Sequence, residues 1–294
     1  MFPKSFYIDT PIIDAEQTVL EKTEAALGGG RPPTGGEQYQ AVTVELRKVA
    51  TDMDGACTTA TSWQGLAGAA FALEMQAYSS LVTQMATAHV VAAQCLDVQA
   101  VAVLDARNGL EEIACQLVMR QIEAHNAALL GNLPASLEIQ QAAVDEAEFR
   151  RKAILTKLAD ITANRAAQMN RLGVSMARSA KMLSSTTVDS LADSAVTIET
   201  AVLMSLASAV SNCSATLTGL LYGGPWIVTE LRLTHGNSVT QGFNAAVAIF
   251  EETRDAVLAV ALEKVDARAA SLSEAVEAYA ECDEVCGSEL GGSL

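Results

Sequence analysis

Basic residues are scarce in this sequence: 19 Lys and Arg stand against 35 Asp and Glu, a formal net charge of −16. A surface that grips phosphate needs a basic stripe. The longest basic cluster, Arg150-Arg151-Lys152, is flanked by Glu146 and Glu148 and reads as a solvated helix face. Nucleic acid is therefore excluded as a partner. Aromatic residues make up only 4% of the chain, so the apolar half of the sequence is mostly Ala, Val and Leu. Such small side chains let helices approach closely, and Ala is the best helix former. Between Pro33 and Pro225 the only proline is Pro134, and glycine is similarly sparse there. Little in the long middle can break a helix. No strand alternation of useful length appears.

Groups that carry chemistry are equally thin. The three histidines, His89, His125 and His235, lie far apart, and none has a second ligand at metal spacing. Six cysteines (57, 95, 115, 213, 282 and 286) are scattered, with no C-x-x-C and no local histidine. Cys282 and Cys286 sit one helical turn apart, with Cβ atoms roughly 6 Å apart in an intact helix. A disulfide wants about 4 Å, so they are expected not to pair while that helix is formed. There is no G-x-S-x-G, no phosphate loop ending in Gly-Lys-Ser/Thr and no G-x-G-x-x-G between strand and helix. The acidic pairs Glu111-Glu112 and Asp283-Glu284 show no sign of a desolvated cleft. The expectation is a protein that is not an enzyme, with no catalytic residue, metal or cofactor.

Residues 1–14 contain Pro3, Asp9, Pro11 and Asp14 and no apolar run of signal length, so a cleaved secretory signal is not expected. Met75–Leu96 and Thr200–Thr229 contain no Asp, Glu, Lys or Arg, but Ser, Thr, Gln and Asn dilute them. They read as buried bundle helices rather than spans.

Thr10 can cap a first short helix, with Pro11 at its first position. Gly28-Gly29-Gly30 and Arg31-Pro32-Pro33 form a loop. Thr34-Gly35-Gly36-Glu37 reads as a capping box opening a helix over about 38–62. After Trp63-Gln64-Gly65 a long helix is expected over 66–130. Gly131-Asn132-Leu133-Pro134 is a turn, with Ser136 capping a helical stretch over 137–221 that breaks near 184–187. Tyr222-Gly223-Gly224-Pro225 ends it. A short segment leads to the turn Thr234-His235-Gly236, and a last helix runs over about 238–286. Its apolar stripe is Phe243, Val247, Phe250, Val257, Ala261, Val265, Leu272, Val276 and Tyr279. Residues 287–294 read as a frayed tail. The predicted fold is all-α, an elongated bundle of long antiparallel helices in hairpins.

Two short motifs remain. Trp63-x-Gly65 marks a helix end, where Trp buries a large surface and Gly supplies the turn. Tyr279 and Asp283 share one helix face at i and i+4, where a receptor could read both at once, although Tyr279 also continues the apolar stripe. Together they resemble type VII secretion substrates. In that class W-x-G at a helix–turn–helix and Y-x-x-x-D/E after the last helix form a bipartite export signal. Residues 5–130, with Ser5-Phe6-Tyr7-Ile8-Asp9, Ile12 and Ile13 before the Gly-rich loop, resemble the N-terminal region of EspA/EspE-like proteins. Leu233-Thr234-His235-Gly236, Phe243-Asn244 and Tyr279-Ala280-Glu281-Cys282-Asp283-Glu284 resemble an EspC-like C-terminal hairpin.

The resemblance implies four segments: 1–36, a short helix and Gly/Pro loop; 37–133, a hairpin with the W-x-G turn; 134–224, a central helical segment; and 225–294, the C-terminal helix with Tyr279, Asp283 and Glu284 as export signal. It implies export without a cleaved signal and recognition by the FtsK-like ATPase of the secretion machine. It further implies assembly with other secreted helical substrates or as a homo-oligomer, and a place in the envelope or outside the cell. Some relatives serve co-secretion and virulence. The sequence departs from the separate-protein pattern: the two motifs lie over two hundred residues apart, and the C-terminal turn has no Trp. Other readings are a membrane-active, pore-forming secreted effector that contacts lipid through the charge-free stretches, and a cytosolic helical scaffold or chaperone.

Overall fold

The computed structural model describes residues 10–60, 66–185, 199–223, 227–236 and 239–291, and among these the only regular structure is helix. The helices are α1 (Pro11–Ala26), α2 (Glu37–Ala60), α3 (Leu66–Leu129), α4 (Leu133–Ser185), α5 (Thr200–Gly223), α6 (Val228–Thr234) and α7 (Gln241–Gly291). The fold is all-α, with long helices packed together.

Boundaries follow the breakers, with local exceptions. Pro11 opens α1, where a missing N–H costs nothing. Thr10 holds the N-cap position but makes no side-chain cap. Its hydroxyl instead accepts from Gln121 Nε2 at 2.8 Å, a tertiary contact that displaces the expected local one. α4 starts at Leu133, earlier than expected. Asn132 Oδ1 accepts from the Ala135 amide at 3.2 Å and so caps the helix, while Ser136 lies buried inside its first turn. α7 continues to Gly291, past the expected stop at Cys286. A glycine inside a helix costs only about 1 kcal/mol, so Gly287 does not end it. The expected break near 184–187 coincides with the end of α4 at Ser185; residues 186–198 lie outside the described residues.

The chain packs as two compact units, each assembled from three separated stretches. Unit 1 comprises residues 1–35, 94–169 and 227–248; unit 2 comprises 36–93, 170–226 and 249–294. α3, α4 and α7 each contribute to both.

In unit 1, Ile13, Leu20 and Leu27 of α1 join Val103, Leu110 and Leu117 of α3 and Ala143, Ala147 and Leu158 of α4 in one core. α3 and α4 run antiparallel there. Gln99 Nε2 donates to Thr162 Oγ1 at 2.9 Å, and Arg150 pairs with Glu112 at 2.9 Å. Arg151 pairs with the buried Glu16 of α1 at 3.0 Å.

In unit 2, α2 lies antiparallel to the first half of α3. Ser79 Oγ donates to the Ala50 carbonyl at 3.2 Å, and Cys57 Sγ to that of Ala72 at 3.5 Å. α5 packs on α2 through a stripe at three-and-four spacing: Leu203, Leu206, Val210, Cys213 and Leu217 are all buried. The α7 stripe is as expected in both units: Phe243 and Val247 are buried in unit 1, and Phe250, Val257, Ala261, Val265 and Leu272 in unit 2. Val276 and Tyr279 are half-buried.

Two stretches, Ala67–Leu129 and Thr200–Thr234, are long and apolar enough to cross a membrane by length and composition. Half of the most apolar window of the first is buried but only 28% of that of the second. The second stretch thus presents more of its apolar window to solvent.

Candidate functional site

The C-terminal turn is the most elaborately built place among the sequence-predicted positions. Thr234 ends α6, and His235 and Gly236 follow, all three buried. The Thr234 hydroxyl donates to the Glu230 carbonyl at 2.9 Å. It therefore accepts from Thr34, whose hydroxyl lies 2.8 Å away and whose amide lies 3.3 Å away. Thr34, expected to cap α2, thus bonds to a residue two hundred positions on. Gly236 has φ +78°, and its carbonyl accepts from Thr240 Oγ1 at 2.8 Å and Asn244 Nδ2 at 3.1 Å. A Cβ at Gly236 would collide with the main chain of Ala26 and Leu27, and one at Gly28 would meet the Thr234 main chain at 2.7 Å. Glycine at both places lets the ends of α1 and α6 close on each other.

The centre of this knot is Arg107, which projects from the core face of α3. Its Nε donates to the Leu27 carbonyl at 3.0 Å. Its other nitrogens reach the carbonyls of Arg31 and Thr234. Leu27 caps the C-terminus of α1 and Thr234 ends α6. The guanidinium thus satisfies the free carbonyls, and the partial negative charge, that helix C-termini leave behind. Burial pulls its pKa below the ordinary arginine value.

His235 completes the knot, with Nε2 3.0 Å from the Thr34 carbonyl. A carbonyl only accepts, so Nε2 carries the proton, and Nδ1 has no hydrogen-bond partner. Burial lowers the pKa to about 4; the Thr34 carbonyl opposes the shift and the Arg107 charge adds to it. The ring is neutral near neutral pH. The knot therefore fastens chain to chain: its hydroxyls, guanidinium and imidazole are spent on one another and on main-chain carbonyls.

The export residues are less fully described. Tyr279 lies half-buried in α7. Asp283 and Glu284 fall within the helical run of α7, but their side chains lie outside the described residues, as do those of Cys282 and Cys286. Trp63 and Gly65 lie outside the described residues altogether. Thr234, His235 and Gly236 belong to unit 1 and Tyr279 to unit 2.

Unit 2 holds a second buried polar cluster that sequence reading missed. Tyr39 of α2 donates to Glu251 Oε1 of α7 at 3.0 Å. The Tyr39, His89 and Phe250 rings meet with centroids 5.4–5.6 Å apart. Burial, with the Glu251 charge second, raises the Tyr39 pKa well above its ordinary value. His89 Nδ1 donates to the Met85 carbonyl at 2.8 Å, and burial lowers the His89 pKa to about 4. Arg254, one turn beyond Glu251 and 1% exposed, pairs with Asp255 at 2.8 Å. A clue in the sequence was available for both clusters: Arg107 and Glu251 each stand on the apolar face of a helix, where a lone charge needs a partner.

Among the described residues no group of three or more His, Cys, Asp or Glu is placed to hold a metal ion. A cavity of about 350 Å³ opens between α3 and α4, lined by Leu117, Arg120, Glu123, Ala143 and Glu146 among others. Comparison with protein-family models, with curated proteins and with solved structures gives no match.

Proposed function

We propose that this chain is a substrate of, or a protein associated with, a type VII secretion system. It leaves the cytoplasm without a cleaved signal and acts through helical assembly or partner binding in the envelope or outside the cell. The observation that carries the reading is the end of α7. Tyr279 is only half-buried there, and Asp283 follows four residues later in the same helix. One face of a helix can thus offer a ring and a carboxylate to the export ATPase together. The Thr234-His235-Gly236 turn supports the reading differently, by fastening the segment that starts α7 into a folded core.

The test is export of a tagged full-length chain from mycobacteria with and without an intact type VII machine. Export that depends on the machine, and is lost in Tyr279→Ala and Asp283→Ala chains with unchanged melting curves, is the expected result. A chain that stays inside every strain overturns the reading in favour of a cytosolic scaffold.

A further inference from the structure

We infer that the tip of the α3–α4 hairpin in unit 1 is a lipid-binding surface that seats its leucines in the interfacial region of an uncharged bilayer. Residues 124–137 contain no Asp, Glu, Lys or Arg. Within them Leu129, Leu130, Leu133 and Leu137 are 63%, 86%, 61% and 54% exposed. They come from the end of one helix, the turn and the start of the next, so the apolar surface is an end rather than a groove. A partner helix would need a continuous apolar seam along one axis. Along the outer face of α3, exposed Val101 and Leu104 are cut off from Val118 and Ile122 by exposed Asn108, Glu111 and Glu112. A flat lipid surface needs only the tip.

Several main-chain groups of the turn find partners within the protein, as an apolar medium requires. The Asn132 amide reaches back to the Ala127 carbonyl at 3.0 Å and that of Gly131 to Ala128 at 2.9 Å, with Gly131 at φ +79°. This is a Schellman closure of α3. On the other side the Ala135 amide is held by Asn132 Oδ1 and that of Ser136 by the Asn132 carbonyl at 3.1 Å. Pro134 has no amide hydrogen to satisfy.

The depth also fits. At 1.5 Å per residue, Glu123 lies about 9 Å back along α3 from Leu129, and Glu138 about 7.5 Å along α4 from Leu133. Interfacial elements bury their apolar face roughly 5–10 Å deep, so these carboxylates would stay in the headgroup layer. Arg120, the nearest cation on α3, is paired with Glu123 at 2.7 Å. The rim therefore offers anionic headgroups no attraction, and the net charge of −16 repels them. Uncharged headgroups are the fitting partner.

This inference does not rest on export, and the two can fail separately. The experiment is flotation of the purified full-length chain with phosphatidylcholine vesicles, beside vesicles one-third phosphatidylserine. The wild type is expected to float with the first, independently of salt, and less well with the second. Leu130→Glu with Leu133→Glu is expected to lower the bound fraction about tenfold or more, with an unchanged melting curve because both side chains are exposed. Leu130→Ala with Leu133→Ala, the milder change, asks the same question should the charged pair disturb the fold. No flotation of the wild type, binding only to anionic vesicles, or full binding by both double variants overturns the proposal. So does a wild-type oligomer that the substitutions convert to monomer without any effect on vesicles, which makes the tip a protein interface.

Discussion

Each unit buries one histidine and one arginine, yet the two units house the arginines in opposite ways. In unit 1, Arg107 has main-chain carbonyls for partners, from Leu27, Arg31 and Thr234. In unit 2, Arg254 is paired with the Asp255 carboxylate, and Glu251 with the Tyr39 hydroxyl. The reason lies in the backbone. Unit 1 contains the Gly/Pro loop and the α6–α7 turn, where helices end and carbonyls lack intrahelical partners. A guanidinium there replaces missing main-chain bonds. In unit 2 the polar groups sit on helix interiors whose backbone is already satisfied, so side chains must satisfy one another. The histidines do not divide this way: both donate to main-chain carbonyls, His235 through Nε2 to that of Thr34 in the loop and His89 through Nδ1 to that of Met85 in its own helix.

The largest effect that tests this contrast is expected from Arg107→Met. It leaves three carbonyls without their donor, those of Leu27 and Thr234 buried, and should destabilise by about 3 kcal/mol. Hydrogen exchange should show lost protection around residues 27–34 and 227–236 and unchanged protection in α2 and α5. Equal loss in both regions would break the distinction between the units. Arg107→Lys should recover only part, since an ammonium cannot fork to three carbonyls.

Acid is the next lever, and it acts on both units alike. Folding holds His89 and His235 near a pKa of about 4 against 6.5 unfolded. The unfolded chain therefore binds more protons between those values, and stability falls as pH drops from 6.5 towards 4. Each histidine should contribute on the order of 2 kcal/mol of that loss. Urea midpoints against pH measure it, and a His235→Gln or His89→Gln chain should show a shallower slope. Nitrogen shifts sharpen the contrast further: His235 should report the Nε2–H tautomer and His89 the Nδ1–H tautomer at neutral pH.

Smaller changes follow. Tyr39→Phe removes a donor from the buried Glu251 carboxylate and should cost about 2 kcal/mol, less if Glu251→Gln accompanies it. Thr34→Val breaks the hydroxyl pair with Thr234 and should cost about 1 kcal/mol by the same measurement.

Much of the helix map was legible from punctuation alone. Proline and glycine placed the ends of α1, α3 and α5, and the three-and-four spacing of Phe243 to Tyr279 named the buried face of α7. The misses came where a distant residue or a better-placed neighbour took over a local role. Thr10 turns its hydroxyl to Gln121, Thr34 to Thr234, and Asn132 caps α4 in place of Ser136. The turn Thr234-His235-Gly236 was visible as a turn, but its partner Arg107 was not, because nothing local joins positions 107 and 234.

By itself the sequence determined that the chain is helical, where most helices start and stop, and that it is acidic and poor in aromatic residues. Those properties rest on nearest-neighbour physics: backbone propensity, capping and apolar periodicity along one helix. Only the tertiary structure decided which buried polar groups meet, which histidine nitrogen carries the proton, and how three separated stretches make each unit. It also decided which apolar residues stay in water at the α3–α4 tip. Those outcomes depend on burial, and burial belongs to the packed chain, since a leucine such as Leu130 reads the same in sequence whether covered or bare.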